Sequence, residues 1–348
     1  MVTKQAGELR RIVLDILEAA GASAENAVDV ANHLVIADMS GVVTHGVTQL
    51  SGYVDAIRAE QLLPRARPEA LKDLDGGALV TGNWTFGQVA AKYGAELGIG
   101  KAAASGLALV SLVQSHHIGR LGHYVEMAAA EGLVSLVCAG GFGAVDPQTV
   151  PYGGRTRVLH TNPIAMGFPV AGAPPMMFDF ATTALSGVKV VNAQKRGETL
   201  PPGSIVDADG NPTTDPQAFF DGGGHVPFGG HKGYALMMAA EFLGRTFSGS
   251  DDYAEEVRGG DIMRHQGVTM LFAKSDLFRD MDAYLSGARE LVDQVHAAEP
   301  APGFSEVLAP GDLEARTRLQ RERDGIPLHD DVWQDLVDSA ASLGLDIA

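Results

Sequence analysis

A change of texture at residue 132 constrains this chain more than any other feature. Before it, apolar residues recur at helical spacing. From Gly132 to about Lys274, short apolar stretches (LVSLVCA, RVLHTN, MGFPV, MMFDFA, VTMLFA) alternate with turns rich in Gly, Pro and Asp. At 348 residues the chain exceeds the size at which single cores stop growing. The expected division is therefore a strand-rich domain over 132–274 and a helical, mixed α/β domain built from 1–131 and 275–348.

The flanking sections carry clear helical signals. Leu9, Ile12, Val13, Ile16 and Leu17 form one amphipathic stripe, closed by Gly21, and Ala27, Val30, Ala31, Leu34 and Val35 form a second. The second leads into DMSGVVTHGV, where Gly41 and Gly46 bracket Thr44 and His45 on a predicted turn with accessible polar groups. After Pro64, Pro68 and the DGG of 75–77, ALVTG reads as a short strand and QVAAKYGAELGIGKAAASG as an Ala-rich helix. A helix is predicted over 233–247, and LFRDMDAYLSGARELVDQVHAA predicts a long amphipathic one.

LALVSLV, 107–113, has the length of a buried strand and delivers the chain into QSHHIGRLGH, 114–123. Strand ends are rigid while the loops that follow are open to ligands, so this is a natural place for site residues. Three readings of its histidines stand: metal ligands, with Glu126 the nearest candidate to complete a set; hydrogen-bonded structural residues; or acid/base groups. Two Gly-flanked turns, THG at 44–46 and SHHIG at 115–119, each present an imidazole that can exchange a proton near neutral pH. GGHKG, 229–233, sets His231 and Lys232 ahead of a helix, either as a plain helix start or as a seat for a phosphate.

Composition narrows the partners. The net charge of −17, from 43 acidic and 26 basic residues without long like-charge runs, argues against nucleic acid and anionic membranes. The lone Cys138 permits no internal disulfide and reads as a small buried hydrophobe in a reducing compartment. The N-terminal segment has no signal-peptide pattern and no 18-residue apolar run occurs, so the expected location is the cytoplasm. A loose GxGxxA at Gly98, Gly100 and Ala103 follows helix-like sequence instead of a strand and is rejected as a dinucleotide fingerprint. DADGNPTTD, 207–215, lacks the spacing of a calcium loop and reads as an Asp-Gly turn.

In combination, THGVTQLSGYVDAIRAEQLLP, FGQVAAKYGAELGI, SHHIGRLGHYVEMAA, HTNPIAMGFP, FDFATTALSGVK, LPPGSIVDADGNPTTDP, HKGYALMMAAEFLGRTFSG and APGDLEARTRLQRERDGIPL resemble the malate/L-lactate dehydrogenase-like family of NAD(P)-dependent oxidoreductases. This family is distinct from the Rossmann-type lactate and malate dehydrogenases, and the chain looks nearest to its hydroxycarboxylate dehydrogenase B branch. The resemblance implies a non-Rossmann α/β fold: a helical plus mixed α/β domain with a largely antiparallel cofactor-binding domain, in a homodimer. It implies NAD or NADP as cofactor, a 2-oxo or 2-hydroxy acid as substrate, and no metal. A cyclic-imine (ketimine) reductase, a ureidoglycolate-type dehydrogenase and a cofactor-binding protein without turnover are the alternatives.

Carried over, the catalytic histidines fall on His45, favoured as proton donor, and His117, while His116 and His123 are structural. Cofactor contacts, in which His45 shares, fall on Gly119, Arg120, Leu121, Asp179, Phe180, Ala181, Thr182, His231, Lys232, Gly311 and Asp312. Thr44, Gln49, Arg120, Thr161 and Asn162 fall on the substrate side. Two departures stand out. Gln49 replaces the arginine of SHGxxR, so a substrate carboxylate lacks its bidentate partner unless Arg120 takes that place. His160 stands in HTNP where relatives carry Gly, and AGGFGAVDP is also unusual.

Overall fold

The computed structural model describes residues 1–141, 146–258 and 265–347, so 142–145 of AGGFGAVDP lie outside the described residues. The two N-terminal stripes form α1 (Ala6–Ala19) and α2 (Ala24–Met39). Their buried faces meet α3 (Leu50–Arg58) in one apolar core, which the C-terminal segment closes. A short β1 (Val2–Lys4) pairs with a strand at 326–328, so the two ends of the chain are stitched together.

A seven-stranded mixed sheet is the second organising element. Its N-terminal strands are β2 (Glu69–Leu74), β3 (Gly77–Thr81) and β4 (Leu107–Ser115), with α4 (Gly87–Ser105) between the last two. α5 (Gly122–Ala130) leads to β5 (Leu133–Gly140), and β6 (Ile164–Phe168) and β7 (Met176–Phe180) follow. After α6 (Gly187–Arg196), a small three-stranded sheet is formed by β8 (Ile205–Val206), β9 (Pro212–Thr213) and, beyond the short α7 (Gln217–Phe220), β10 (Gly224–His225). Then come α8 (His231–Glu241) and β11 (Gln266–Lys274). α9 (Met281–His296), α10 (Asp312–Asp324), β12 (Ile326–Leu328) and α11 (Asp330–Ser342) complete the chain.

The large sheet runs β2-β3-β4-β11-β5-β6-β7. β3 and β4 are parallel, and every other pairing is antiparallel. Strand periodicity divides its faces: Leu133, Val137 and Ala139 of β5 join the core under α4 and α5, while Leu136 and Cys138 pack with Ala240 and Leu243 on the other side. Because β11 lies between β4 and β5, strands of 132–274 share one hydrogen-bonded sheet with those of 77–115.

Packing explains one of the two glycines of the rejected GxGxxA region. A Cβ on Gly98 would stand 2.4 Å from the Phe272 ring, so α4 lies tight on the sheet there, whereas Gly100 faces open space. The Asp-Gly turn takes the expected form: Asp207 Oδ1 accepts the amides of Asp209 at 3.0 Å and Asn211 at 2.9 Å.

Three elements differ from expectation. β2 was unanticipated because EALKDL is an exposed edge strand of helix-forming residues without alternation. α6 escaped because only Val190 and Ala193 of GVKVVNAQKR are buried, against a small cluster with Leu200, Ile205 and Phe219. The helix expected at 233–247 begins at His231, and Phe242–Phe247 continues as a π-helical turn.

Candidate active site

Two turns from distant parts of the chain meet at one point. The first, Val43–His45, follows α2 and is set by Asp38. The Asp38 carboxylate is 2% exposed and accepts the Val47 amide at 2.8 Å. A Cβ on Gly46 would lie 2.1 Å from Asp38 Oδ1, so only glycine lets the turn close against the carboxylate. Burial raises the Asp38 pKa to about 7, opposed by the Val47 amide and by Arg321, whose guanidinium also bonds the Asp38 carbonyl.

The second turn leaves β4 and is set by His33 of α2. Its Nε2 accepts the Arg120 amide at 2.9 Å, and a Cβ on Gly119, at φ +75°, would stand 2.2 Å from that nitrogen. An imidazole that accepts there must be unprotonated at Nε2, and burial holds the His33 pKa well below its ordinary value.

Between the turns, His45 Nδ1 and His117 Nε2 are 3.0 Å apart, with the rings nearly parallel. His117 Nδ1 is 3.2 Å from the Tyr53 hydroxyl, which accepts a hydrogen bond from Gln88 Nε2 at 2.5 Å. The donors favour one direction. Gln88 Nε2 can only donate, so the phenol proton is free for His117 Nδ1; His117 then donates from Nε2 to His45 Nδ1. This leaves His45 with its proton on Nε2. Rotating the phenol hydroxyl permits the reverse tautomers, with His45 Nε2 as acceptor. Burial lowers the His45 pKa to about 4, with Arg120 adding to it, and the His117 pKa to about 3, with His45 and His160 adding to it. The pair is thus neutral at pH 7 and ready to act in either direction.

Other expected site residues assemble nearby. Thr149 Oγ1 donates to the His160 carbonyl at 2.7 Å, and His160 Nδ1 lies 3.2 Å from Thr161 Oγ1. Asn162, at φ +41°, donates to the buried Glu241 at 2.6 Å, and Thr182 Oγ1 donates to the Thr161 and Asn162 carbonyls at 3.0 and 2.9 Å. Thr182 to Ala184 run beside Val226 to Phe228, and Ala184 and Val226 to Phe228 help line a cavity of about 540 Å³. Tyr152, Arg155, Ala184, Phe228, Gly229 and Gly230 are among its lining residues, with the half-exposed Phe180 ring against Phe228 and the exposed His231 and Lys232 next along the chain.

The remaining expected residues are engaged otherwise. Asp179 accepts the Gly122 amide at the start of α5 at 2.7 Å, and burial raises its pKa to about 6. Leu121 is buried, and Ala181 is half-buried beside Thr182. Gly311, at φ +97°, packs against Pro175 and Met177, and Asp312 accepts from Ala309 at 2.8 Å and meets His296 Nε2 at 2.6 Å. Gln49 Nε2 is spent on the Thr44 carbonyl at 2.8 Å.

Arg120 departs furthest from its expected role as a carboxylate clamp. Its guanidinium is 1% exposed and makes a bidentate pair with Glu126 at 2.9 and 3.0 Å, an acid shared with Arg318 at 2.6 and 2.7 Å. The cation is enclosed and balanced rather than open to a ligand. His116 Nε2 lies 2.8 Å from the Gln61 carbonyl beside the Trp84 ring, and His123 packs on His33 and Tyr124. Reading the sequence missed Tyr53, Gln88, His33 and Asp38. Only His33 and Asp38 left a trace, as polar residues on the buried face of α2.

A family model described as malate/L-lactate dehydrogenase matches residues 5–337. The L-lactate dehydrogenase of Cupriavidus necator is 37% identical over 342 residues, covering 97% of this chain and 96% of that one. Hydroxycarboxylate dehydrogenase B of Escherichia coli K12 is 32% identical over 340 residues, covering 97% and 93%. The solved sulfolactate dehydrogenase of Methanocaldococcus jannaschii superposes with a TM-score of 0.89 at 28% identity, covering 99% of this chain and 98% of that one. The chain belongs to the malate/L-lactate dehydrogenase family.

Proposed function

We propose that this chain is a nicotinamide-dependent oxidoreductase that interconverts a 2-oxo acid and a 2-hydroxy acid, with His45 exchanging the proton. The observation that carries the reading is the line Gln88, Tyr53, His117, His45, in which each group orients the next and the last keeps its Nε2 out of the chain of hydrogen bonds. The residues present suit a dinucleotide. An aromatic wall of Phe180 and Phe228 and the open glycines 229 and 230 can take planar rings and a close-lying backbone, and Lys232 at the start of α8 suits a phosphate. When bound, the nicotinamide supplies or takes up hydride at its ring carbon.

The protein's part is proton traffic. In the reducing direction His45 Nε2–H donates to the carbonyl oxygen of the 2-oxo acid as C2 gains the hydride; in the oxidising direction Nε2 accepts the hydroxyl proton. One proton must enter the pair for each acid reduced. With Gln49 bound to Thr44 and Arg120 held by Glu126, the substrate carboxylate itself is the charge that favours an imidazolium there. Thr161 and Asn162, near His160, belong to the substrate side in this reading, and Gly119, Leu121 and Asp179 to Thr182 to the cofactor side.

Either NAD or NADP serves in this proposal. Initial rates with NADH and with NADPH, against a panel of 2-oxo acids and one cyclic imino acid, test it. Saturable reduction of a 2-oxo acid is the expected result. Cofactor binding without turnover of any 2-oxo acid, or reduction of the imine alone, would overturn the proposal. We further propose a homodimer, since Leu236, Phe242, Phe247, Phe278, Leu291 and Leu319 are exposed apolar side chains, and a cytoplasmic setting, which suits the lone buried Cys138. Light scattering on the eluting protein checks the dimer.

A further inference from the structure

α6 begins among polar groups that have nothing to bond. His225 is fully buried, and neither ring nitrogen has a hydrogen-bond partner among the described residues. Its backbone is fixed on both sides, with the amide donating to the Gln148 carbonyl at 2.9 Å and the carbonyl accepting from Val150 at 3.0 Å, and the ring packs against Phe219. Its Nε2 faces the first residue of α6: a Cβ built on Gly187 would be 3.7 Å from it.

Two hydroxyls in the residues that lead into α6 are also unspent. Ser186 occupies the N-cap position of α6, where serine ordinarily bonds a first-turn amide, yet it makes no such bond and its Oγ is buried and unpartnered. Thr183 is 5% exposed, and its Oγ1 is likewise unpartnered. The Gly187 and Val188 amides have no carbonyl within the helix to bond, and the dipole makes that end electropositive. A buried polar group left unpaired is costly, so unpartnered atoms at the start of this helix call for a ligand that satisfies them.

We propose that the first turn of α6, with Ser186, Thr183 and His225, binds an oxyanion that carries a hydroxyl, of the 2-hydroxycarboxylate or phosphate-monoester class. The donors are the helix amides, the two hydroxyls and one imidazole N–H. Gln148 sets the second half of the chemistry. Its Nε2 is held by Asp146 at 2.6 Å, which leaves Oε1, an acceptor, 3.5 Å from the Gly187 Cβ position. An acceptor in an anion site repels a bare oxyanion and selects one with a proton to give. Val188 and Lys189, the next residues of the same turn, are exposed. Thr149 bridges His225 on one side and Leu159, next to His160, on the other, a span of about 10 Å across two strand spacings.

The cofactor and substrate arms of the following test rest on the dehydrogenase reading; the phosphate titration does not. Inorganic phosphate is titrated into the full-length protein while the imidazole resonances of His225 are followed by NMR. A saturable shift is expected. Gly187→Ala places a methyl at ordinary contact distances inside the site without straining the fold, and Ser186→Ala removes one donor; each should weaken phosphate binding, by roughly tenfold for the first.

The source of the oxyanion is then read with the same two variants. A roughly tenfold weaker NADPH affinity at unchanged NADH affinity and unchanged 2-hydroxy acid KM assigns the site to a cofactor phosphate monoester, and a roughly tenfold raised 2-hydroxy acid KM at unchanged cofactor affinity assigns it to the substrate. If His225 responds to neither phosphate nor a 2-hydroxy acid, or if Gly187→Ala binds phosphate as the wild type does, the site is not an oxyanion site. That result leaves the dehydrogenase reading untouched.

Discussion

The Nδ1 of His45 and the Nε2 of His117 lie 3.0 Å apart, and a single proton must serve both. Whichever ring holds it decides whether the outer nitrogen of His45 donates or accepts. The pair therefore behaves as one reversible group whose setting is read out at His45 Nε2.

Replacing His45 with alanine removes that outlet while leaving the cavity between residues 150–155 and 226–230 intact. Turnover should fall by about 10²–10⁴-fold, while cofactor affinity, measured by quenching of bound nicotinamide fluorescence, changes only modestly. A rate close to wild type would remove His45 from the proton path.

Tyr53→Phe deletes the hydroxyl that stands between Gln88 and His117. His117 Nδ1 loses its donor, so the tautomer that leaves a proton on His45 Nε2 is no longer favoured. We expect kcat to drop by roughly 10–100-fold with KM nearly unchanged, and stability to fall by about 1–3 kcal/mol because Gln88 is left unpaired. Urea unfolding and steady-state kinetics on one preparation separate the two effects. Equal losses in kcat and in the folded fraction would reduce Tyr53 to a purely structural residue.

Gly46→Ala tests the fit of the first turn. The added methyl would meet Asp38 Oδ1 at 2.1 Å, and that carboxylate cannot retreat without losing the Val47 amide. The expected cost is about 1–3 kcal/mol, with His45 displaced and activity lost out of proportion to stability. Full activity in this variant would show that the turn need not be held against Asp38.

Acid should destabilise the protein through its buried histidines. His45, His123, His225 and His265 are each lowered from 6.5 to about 4 and His117 to about 3, in every case chiefly by burial. Between pH 6.5 and 4 the unfolded chain binds protons at these sites that the folded chain does not, so stability is full above 6.5 and falls as pH drops through that window. Asp38, raised to about 7, and Asp179, raised to about 6, act oppositely: the folded state keeps protons there that the unfolded state releases, a contribution lost as pH rises through 6–7. Five histidines outweigh two aspartates. Scanning calorimetry between pH 7 and pH 4.5 should show Tm falling with acid, and a flat or rising Tm would contradict the burial of these rings.

Much of the fold was legible because particular runs obey simple periods. Leu9 to Leu17 and Ala27 to Val35 show a 3.6-residue stripe, and LALVSLV reads as an interior strand, as it is beyond Leu107. His45 and His117 were legible as candidates because glycine turns flank both. The groups that orient them were not: Tyr53 lies on an ordinary amphipathic helix and Gln88 at the start of α4, and only tertiary packing brings them to His117. Arg120 shows the converse. An arginine beside a histidine pair reads as a ligand clamp until Glu126, one turn into α5, is seen to hold it.

The placement of β11 governs the order in which this protein can be made. Its residues 266–274 fill the slot between β4 and β5, both of which emerge from the ribosome far earlier. Until β11 arrives, each of those strands has one row of amides and carbonyls with no lasting partner, an invitation to pair with a neighbouring nascent chain. The helical N-terminal half can condense early from local contacts, but the sheet beneath the histidine turn waits for the last third of synthesis. A truncation that ends before residue 266 would accumulate as aggregate rather than as a smaller folded unit.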